Sequence, residues 1–165
     1  LGGSLDNVLI MNSLSKRSSV PGLRSGFVAG DPNIIARFKR IRDYGGAPPP
    51  IPLLAVSTAL WQNEDHVKKN RELYCKKFDL ADQMLSGIGC YYRPEGGFYL
   101  WLNVGNSETI ALKLWKKAGL RVMPGTYLSK NTPNENNPGM PYIRCALVHD
   151  LETTSQSLER LAKTL

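Results

Sequence analysis

Hydrophobic and polar positions fall into two regimes along the chain. Asn7 to Asn12 (Asn-Val-Leu-Ile-Met-Asn) is an apolar run between polar residues, which predicts a buried strand, and Phe27 to Gly30 predicts a second one. Between them lies a polar, Ser-rich loop. Asp31-Pro32 then sets a capping carboxylate before a proline at the first helical position, predicting a helix over Asn33 to Tyr44 that stops at Gly45. Gly45-Gly46-Ala47-Pro48-Pro49-Pro50-Ile51-Pro52 must be irregular, because its prolines lack donors and its glycines loosen φ. Helical spacing returns over Leu53 to Trp61 and Asp65 to Leu85. The second of these helices carries Val67, Leu73, Phe78, Leu80, Ala81, Met84 and Leu85 on one stripe.

The remainder alternates. It reads as strand Cys90 to Arg93, turn Pro94 to Gly97, strand Phe98 to Asn103, helix Ser107 to Ala118 with Gly119 behind it, and strand Leu120 to Met123. An Asn- and Pro-rich loop over 129–139 follows, then strand Tyr142 to Leu147 and a final helix capped by Asp150. This β-β-α-β-β-α order predicts an α/β chain ending in a small sheet with helices on one face. The front piece, two strands and a helix, is too small to be a domain by itself.

Composition narrows the class. With 165 residues, 42% hydrophobic and 21% charged, the chain is that of a globular protein, which excludes wholesale disorder, collagen and coiled coil. No apolar stretch approaches the roughly 18 residues of a membrane span, and the first residues lack a secretory pattern, so a cytoplasmic location is expected. Cys75, Cys90 and Cys145 are odd in number and never in a Cys-x-x-Cys pair, arguing against a disulfide framework or a zinc site and for buried thiols. The net charge of +7 is spread over helix-like stretches such as Lys68, Lys69, Lys76, Lys77, Lys116 and Lys117, reading as solvated faces rather than a nucleic-acid surface. No metal ligand set stands out. His66 and His149 suggest helix-terminal or surface positions.

The densest chemistry lies in Ser13-Leu14-Ser15-Lys16-Arg17-Ser18-Ser19-Val20-Pro21-Gly22-Leu23-Arg24-Ser25-Gly26, between the two front strands, where α/β sheets deliver ligand-binding loops. Arg24 offers a bidentate fork for a phosphate or carboxylate, Ser13 and Ser15 add neutral donors, and Gly22 and Gly26 let backbone approach a bulky ligand. The spacing is not that of a nucleotide P-loop. Lys16 has two readings from residue chemistry alone: an exposed charge on a polar loop, or an amine that condenses with the aldehyde of an anionic cofactor such as pyridoxal 5′-phosphate.

Ser13-Leu14-Ser15-Lys16 followed by Pro21-Gly22-Leu23-Arg24-Ser25-Gly26 resembles the cofactor-lysine signature of class I/II aminotransferases, the fold type I pyridoxal-phosphate enzymes. Pro94-Glu95-Gly96-Gly97-Phe98-Tyr99-Leu100-Trp101, Val122-Met123-Pro124-Gly125 and Tyr142-Ile143-Arg144-Cys145-Ala146 extend the resemblance in the family's order. The resemblance implies the C-terminal part of that fold: residues 1–50 as the end of the cofactor-binding large domain, 51–85 as linking helices, and 86–165 as the small C-terminal domain. It implies Lys16 as catalytic and cofactor-holding, Ser13 and Arg24 as cofactor-binding, and Arg144 and Gly97 as substrate-binding. Arg144 would grip the substrate α-carboxylate, which fixes the angle of the reacting Cα bond.

The implied reaction has two halves, in which an amino donor leaves as an oxo acid and an oxo-acid acceptor, 2-oxoglutarate or a relative, restores the cofactor. The freed lysine moves the proton. The wording of Leu60 to Val67 and of Asn70 to Asp79 is similar to the succinyldiaminopimelate aminotransferase subgroup of lysine biosynthesis. Family members also have, upstream of the lysine, an Asp at the pyridinium nitrogen, a ring-stacking aromatic residue, an Asn and a Tyr at the ring oxygen, and most of the large-domain sheet. This chain is therefore expected to need an N-terminal portion and a homodimer partner, and to be inactive alone. The other reading is a non-catalytic domain that binds an anion or partner through Arg24 and Arg144.

Overall fold

The computed structural model describes residues 3–46, 48–131 and 137–165. Ala47 of the proline-rich stretch and positions 132–136 of the Asn- and Pro-rich loop lie outside the described residues. The chain divides into two compact units, Leu1–Asn70 and Arg71–Leu165.

In the first unit, β1 (Leu9–Ser13) and β2 (Gly26–Gly30) pair antiparallel, with Leu9 opposite Gly30 and Ser13 opposite Gly26. The expectation that these strands are buried is corrected. They pair only with each other among the described residues, so both outer edges of the ribbon are unpaired there, and Met11 is 74% exposed. The Ser-rich loop is also more ordered than expected. It contains the short helix α1 (Leu14–Arg17) and a 3-10 turn, Pro21–Leu23. Then α2 (Pro32–Tyr44) starts where Asp31 caps it, Oδ1 accepting from the Asn33 and Ile34 N–H groups at 2.8 and 3.2 Å. Oδ2 of the same carboxylate accepts the Asn7 N–H at 2.8 Å, fastening the start of the chain to the helix cap. Helix α3 (Ile51–Gln62) begins two residues earlier than expected, since Pro52 is tolerated in a first turn. It is apolar on nearly every side, yet Ile51 is 81% exposed.

Helix α4 (Asp65–Leu85) begins in the first unit and ends in the second. There the sheet runs in the order β3 (Tyr99–Asn103), β5 (Tyr142–Ala146), β4 (Met123–Pro124), antiparallel throughout. Period-2 alternation sends Leu100, Leu102, Ile143 and Cys145 to one face. They pack with Phe78, Ala81 and Leu85 of α4, Leu114 of α5 (Ser107–Ala118), and Leu158 and Leu161 of α6 (Leu151–Thr164). Burying a leucine in this way stabilises by about 1.5–3 kcal/mol, so these few side chains carry much of the unit's stability.

Two expected strands are corrected. Leu120 to Met123 pairs only from Met123. Gly119 adopts a left-handed conformation that caps α5, and the Leu120 N–H is spent on Leu114 O at 3.2 Å rather than on a ladder. Cys90 to Arg93 forms no strand. Side chains hold it instead: Tyr91 Oη donates to Asp82, and Arg93 pairs with Asp82 and, at 2.9 Å, with Asp79. The Tyr91 hydrogen bond and the Arg93 ion pair pull the Asp82 carboxyl below the usual range, while burial and Asp82 push the Tyr91 phenol up.

Three side-chain expectations also change. Leu73 is exposed despite its place on the α4 stripe, and Cys75 is exposed while Cys145 is buried. Lys77 is not on a solvated face but buried, its Nζ donating to Leu147 O at 2.8 Å with the Tyr74 ring 4.8 Å away. Burial pushes its pKa down, against an opposing pull from Asp150.

Candidate active site

The loop from Ser13 to Gly26 is built around the cap of α1. Ser13 takes an extended conformation and its Oγ accepts the Ser15 N–H at 3.1 Å, then donates to Ser15 Oγ at 2.9 Å or to Ser25 O at 3.2 Å. Leu14, fully buried, anchors the helix, and its N–H reaches Ser25 O at 3.1 Å, tying α1 to the entrance of β2. Lys16 is exposed. Arg24 closes the 3-10 turn in the left-handed region at φ 50°, with Nη1 donating to Pro21 O at 3.1 Å and the rest of its side chain exposed. Ser19 has φ 56°, so two non-glycine residues of one loop sit in a conformation costing on the order of 1 kcal/mol each, strain of the kind found at ligand sites. Gly22 has open space where a side chain would stand, as a ligand approach needs; Gly26 does not serve that purpose, since a Cβ there would meet Asn12 O at 2.6 Å across the ribbon.

One loop thus carries Ser13, Lys16 and Arg24. An amine that can take an aldehyde, a planar cation and hydroxyls that can take a phosphate form the donor set pyridoxal 5′-phosphate requires, so the residues present fit that group.

The second unit holds the other two expected residues. Gly97 precedes β3 at φ 94°, a conformation that favours glycine, and it is exposed. Arg144 lies on the open face of the sheet, across from Trp101 on β3 and Met123 on β4. Its guanidinium carbon is 5.6 Å from the Tyr99 ring centroid, and Trp101 stacks on Tyr142 at 5.4 Å. Among the described residues no carboxylate or hydrogen-bond acceptor is paired with the Arg144 guanidinium. A half-buried cation on an aromatic floor is suited to a carboxylate ligand.

Residue patterns did not announce a further group in the first unit. Arg17, next to Lys16, turns inward: Nη1 donates to Leu60 O at 2.9 Å, Nη2 pairs with Glu64, and the guanidinium carbon lies 4.9 Å from the Trp61 ring centroid. His66 Nε2 is 2.8 Å from Ser18 Oγ. The only signal in the sequence was the proximity of Glu64 and His66 to a helix start, which says nothing of what they touch. No group of three or more His, Cys, Asp or Glu side chains among the described residues is placed to hold a metal.

Known structures share this architecture. An aminotransferase from Neisseria meningitidis Z2491 superposes with a TM-score of 0.91 at 41% identity, over 99% of this chain and 42% of that one. A probable N-succinyldiaminopimelate aminotransferase from Thermus thermophilus gives 0.84 at 25% identity, over 100% and 44%. The fold is that of the C-terminal part of a fold type I pyridoxal-phosphate transferase. The pattern of the family described as aminotransferase class I and II matches residues 3–161, and the chain belongs to that family. The 4-dedimethylamino-4-oxo-anhydrotetracycline transaminase OxyQ of Streptomyces rimosus is 31% identical over 97% of this chain and 43% of that protein. The chain therefore spans less than half the length of these relatives. Pyridoxal 5′-phosphate is the cofactor of the family, and no helix among the described residues is long and apolar enough to cross a membrane.

Proposed function

We propose that this chain is the C-terminal part of a pyridoxal-phosphate-dependent aminotransferase, with Lys16 as the cofactor lysine. The observation that carries this reading is the shared placement of Ser13, Lys16 and Arg24 on one strained loop between paired strands. Bound pyridoxal phosphate supplies the carbonyl that captures an amino group and the electron sink that stabilises negative charge at Cα. The chain's own groups do the rest. Arg24 and Ser13 would hold the phosphate, Lys16 Nζ would hold the cofactor aldehyde carbon and serve as the base that carries the substrate Cα proton to the cofactor, and Arg144 would fix the substrate carboxylate, with Gly97 as a further substrate-binding position.

The proposed amino donor is succinyldiaminopimelate with 2-oxoglutarate as acceptor, in lysine biosynthesis; the subgroup wording in α3 and α4 and the likeness to the Thermus thermophilus protein support this. The proposed working unit is a cytoplasmic homodimer that includes an N-terminal large-domain portion, with these 165 residues inactive alone. Exposed apolar side chains support it: Met11 on the ribbon, Ile41 on α2, and Ile51 and Val56 on α3 are open, as side chains that a further portion or a partner covers would be. The same surface weighs against a self-sufficient anion-binding domain.

Half-reaction spectra test the substrate. Cofactor-loaded protein carrying the N-terminal portion should lose its cofactor-carbonyl absorbance on adding succinyldiaminopimelate and regain it with 2-oxoglutarate. A response to aspartate or an aromatic amino acid alone would move the enzyme to another subgroup.

A further inference from the structure

We infer that Arg17 is a positioning residue for Lys16: it clamps α1 to the junction of α3 and α4 so that the neighbouring lysine is presented outward. The inference rests on the reading of Lys16 as the cofactor lysine. Helix α1 has four residues, far below the length at which a helix holds itself together, so side-chain anchors must set its orientation. Leu14 provides one, buried beneath the helix. Arg17 provides the other, its side chain only 12% exposed although its neighbour Lys16 is exposed. Consecutive helical residues point about 100° apart, so the inward direction of Arg17 determines the outward direction of Lys16.

The anchor is specific to a guanidinium. One nitrogen, Nη1, serves Leu60 O at 2.9 Å and Ser18 Oγ at 3.3 Å, the other meets Glu64, and the flat cation covers the Trp61 ring. Trp61 in turn packs edge-on against Phe27 of β2, with centroids 5.1 Å apart. Ser18, the C-cap of α1, is held from the other direction by His66 Nε2 at 2.8 Å, and His66 Nδ1 lies 3.0 Å from Asn63 Oδ1. Both residues that follow Lys16 are thus fastened to the segment Leu60 to His66. A lysine amine has no such fork, so Arg17→Lys keeps the charge facing Glu64 but cannot also hold Leu60 O over the ring.

The test uses the cofactor-loaded protein carrying the N-terminal portion, as Arg17→Leu, Arg17→Lys and the parent. Borohydride fixation with peptide mapping reads where the cofactor attaches, amide hydrogen exchange in the cofactor-free form reads order in α1, and kinetics separate kcat from KM. In Arg17→Leu, kcat should fall about 10- to 100-fold with donor KM nearly unchanged, as expected for a displaced but present catalytic amine. Exchange at residues 14–20 should rise about tenfold while α5, α6 and the sheet are unaffected, and Arg17→Lys should fall between. Parent-like kcat and exchange in Arg17→Leu would overturn the clamp, as would exchange raised equally in every element. Fixation at a lysine other than Lys16 in the parent would instead overturn the reading on which the clamp rests.

Discussion

Arg144 stands directly opposite Trp101 in the β3–β5 register, and its guanidinium leans over the ring of Tyr99, two residues along the same face of β3. Alternation along the strands produces this arrangement: Leu100, Leu102, Ile143 and Cys145 take the buried face, which leaves Arg144 with the aromatic residues on the open one. With no carboxylate of its own among the described residues, Arg144 is available to a ligand's.

Replacing Arg144 by Ala in the cofactor-loaded protein with its N-terminal portion should raise donor KM by about 10- to 100-fold, the worth of one hydrogen-bonded charge pair of roughly 1.5–3 kcal/mol. Arg144→Lys should recover only part of this, because an ammonium cannot grip both carboxylate oxygens in plane. Steady-state kinetics with an amino-acid donor and with its decarboxylated amine give the check. The amine should be indifferent to the substitution, and equal losses for both would remove Arg144 from carboxylate binding.

Arg24→Ala should act on the cofactor instead. Loss of its guanidinium should weaken pyridoxal phosphate retention by about tenfold or more while sparing pyridoxal, which has no phosphate to hold. Fluorescence titration of both compounds measures this. Unchanged pyridoxal phosphate affinity would contradict the assignment. Because Arg24 also closes the 3-10 turn at positive φ, Arg24→Gly serves as the control that relieves the backbone while removing the charge.

The Asp31 cap makes an acid-dependent contribution to stability. Backbone N–H groups of Asn7, Ile34 and Asn33 hold its carboxyl below the ordinary value of 3.8. Between the lowered folded value and the ordinary unfolded one, the unfolded chain binds more protons. The contribution is therefore complete above the ordinary value and is lost as pH falls through the folded value. Asp82 and Asp150 act with the same sign, so the informative quantity is the difference between the parent and Asp31→Asn. The variant's Tm should be a few degrees lower at neutral pH, and the two should converge in acid. A gap that persists unchanged to the lowest pH would mean that the charge of Asp31 is not what matters.

The cysteines should separate cleanly in a thiol titration. Cys75 is exposed and should react first in the native protein, whereas Cys145 is buried in the sheet core with its thiol pushed up to about 12 by desolvation, and should react only on unfolding. Cys90, half-buried and also raised, falls between. Mass spectrometry after brief labelling gives the order. Early labelling of Cys145 would show that the core between β5 and the helices opens in the native state.

Much of this was legible in the sequence because it is local. The caps at Asp31 and Asp150, the stop at Gly119 and the alternation over Tyr99 to Asn103 are each decided within a few residues. What escaped was decided by distant contacts. The segment Cys90 to Arg93 has strand composition, but Asp79 and Asp82 claim its Tyr and Arg. The run Leu9 to Met11 is apolar enough to be buried, yet Leu9, Ile10 and Met11 are all exposed. Lys77 looks like any other helix lysine, and only the approach of Leu147 O makes it a buried one. At the site, Ser13, Lys16 and Arg24 were readable as a motif; Arg17 and His66 were not, since their partners lie more than forty positions away.

Whether Lys16 carries the cofactor is decided by borohydride fixation of pyridoxal phosphate followed by peptide mapping. In the protein with its N-terminal portion, one cofactor per chain should be fixed at Lys16, with the label and its absorbance band absent from Lys16→Ala. A fixed cofactor on any other lysine, or an undiminished band in Lys16→Ala, would mean that Lys16 is not the cofactor lysine.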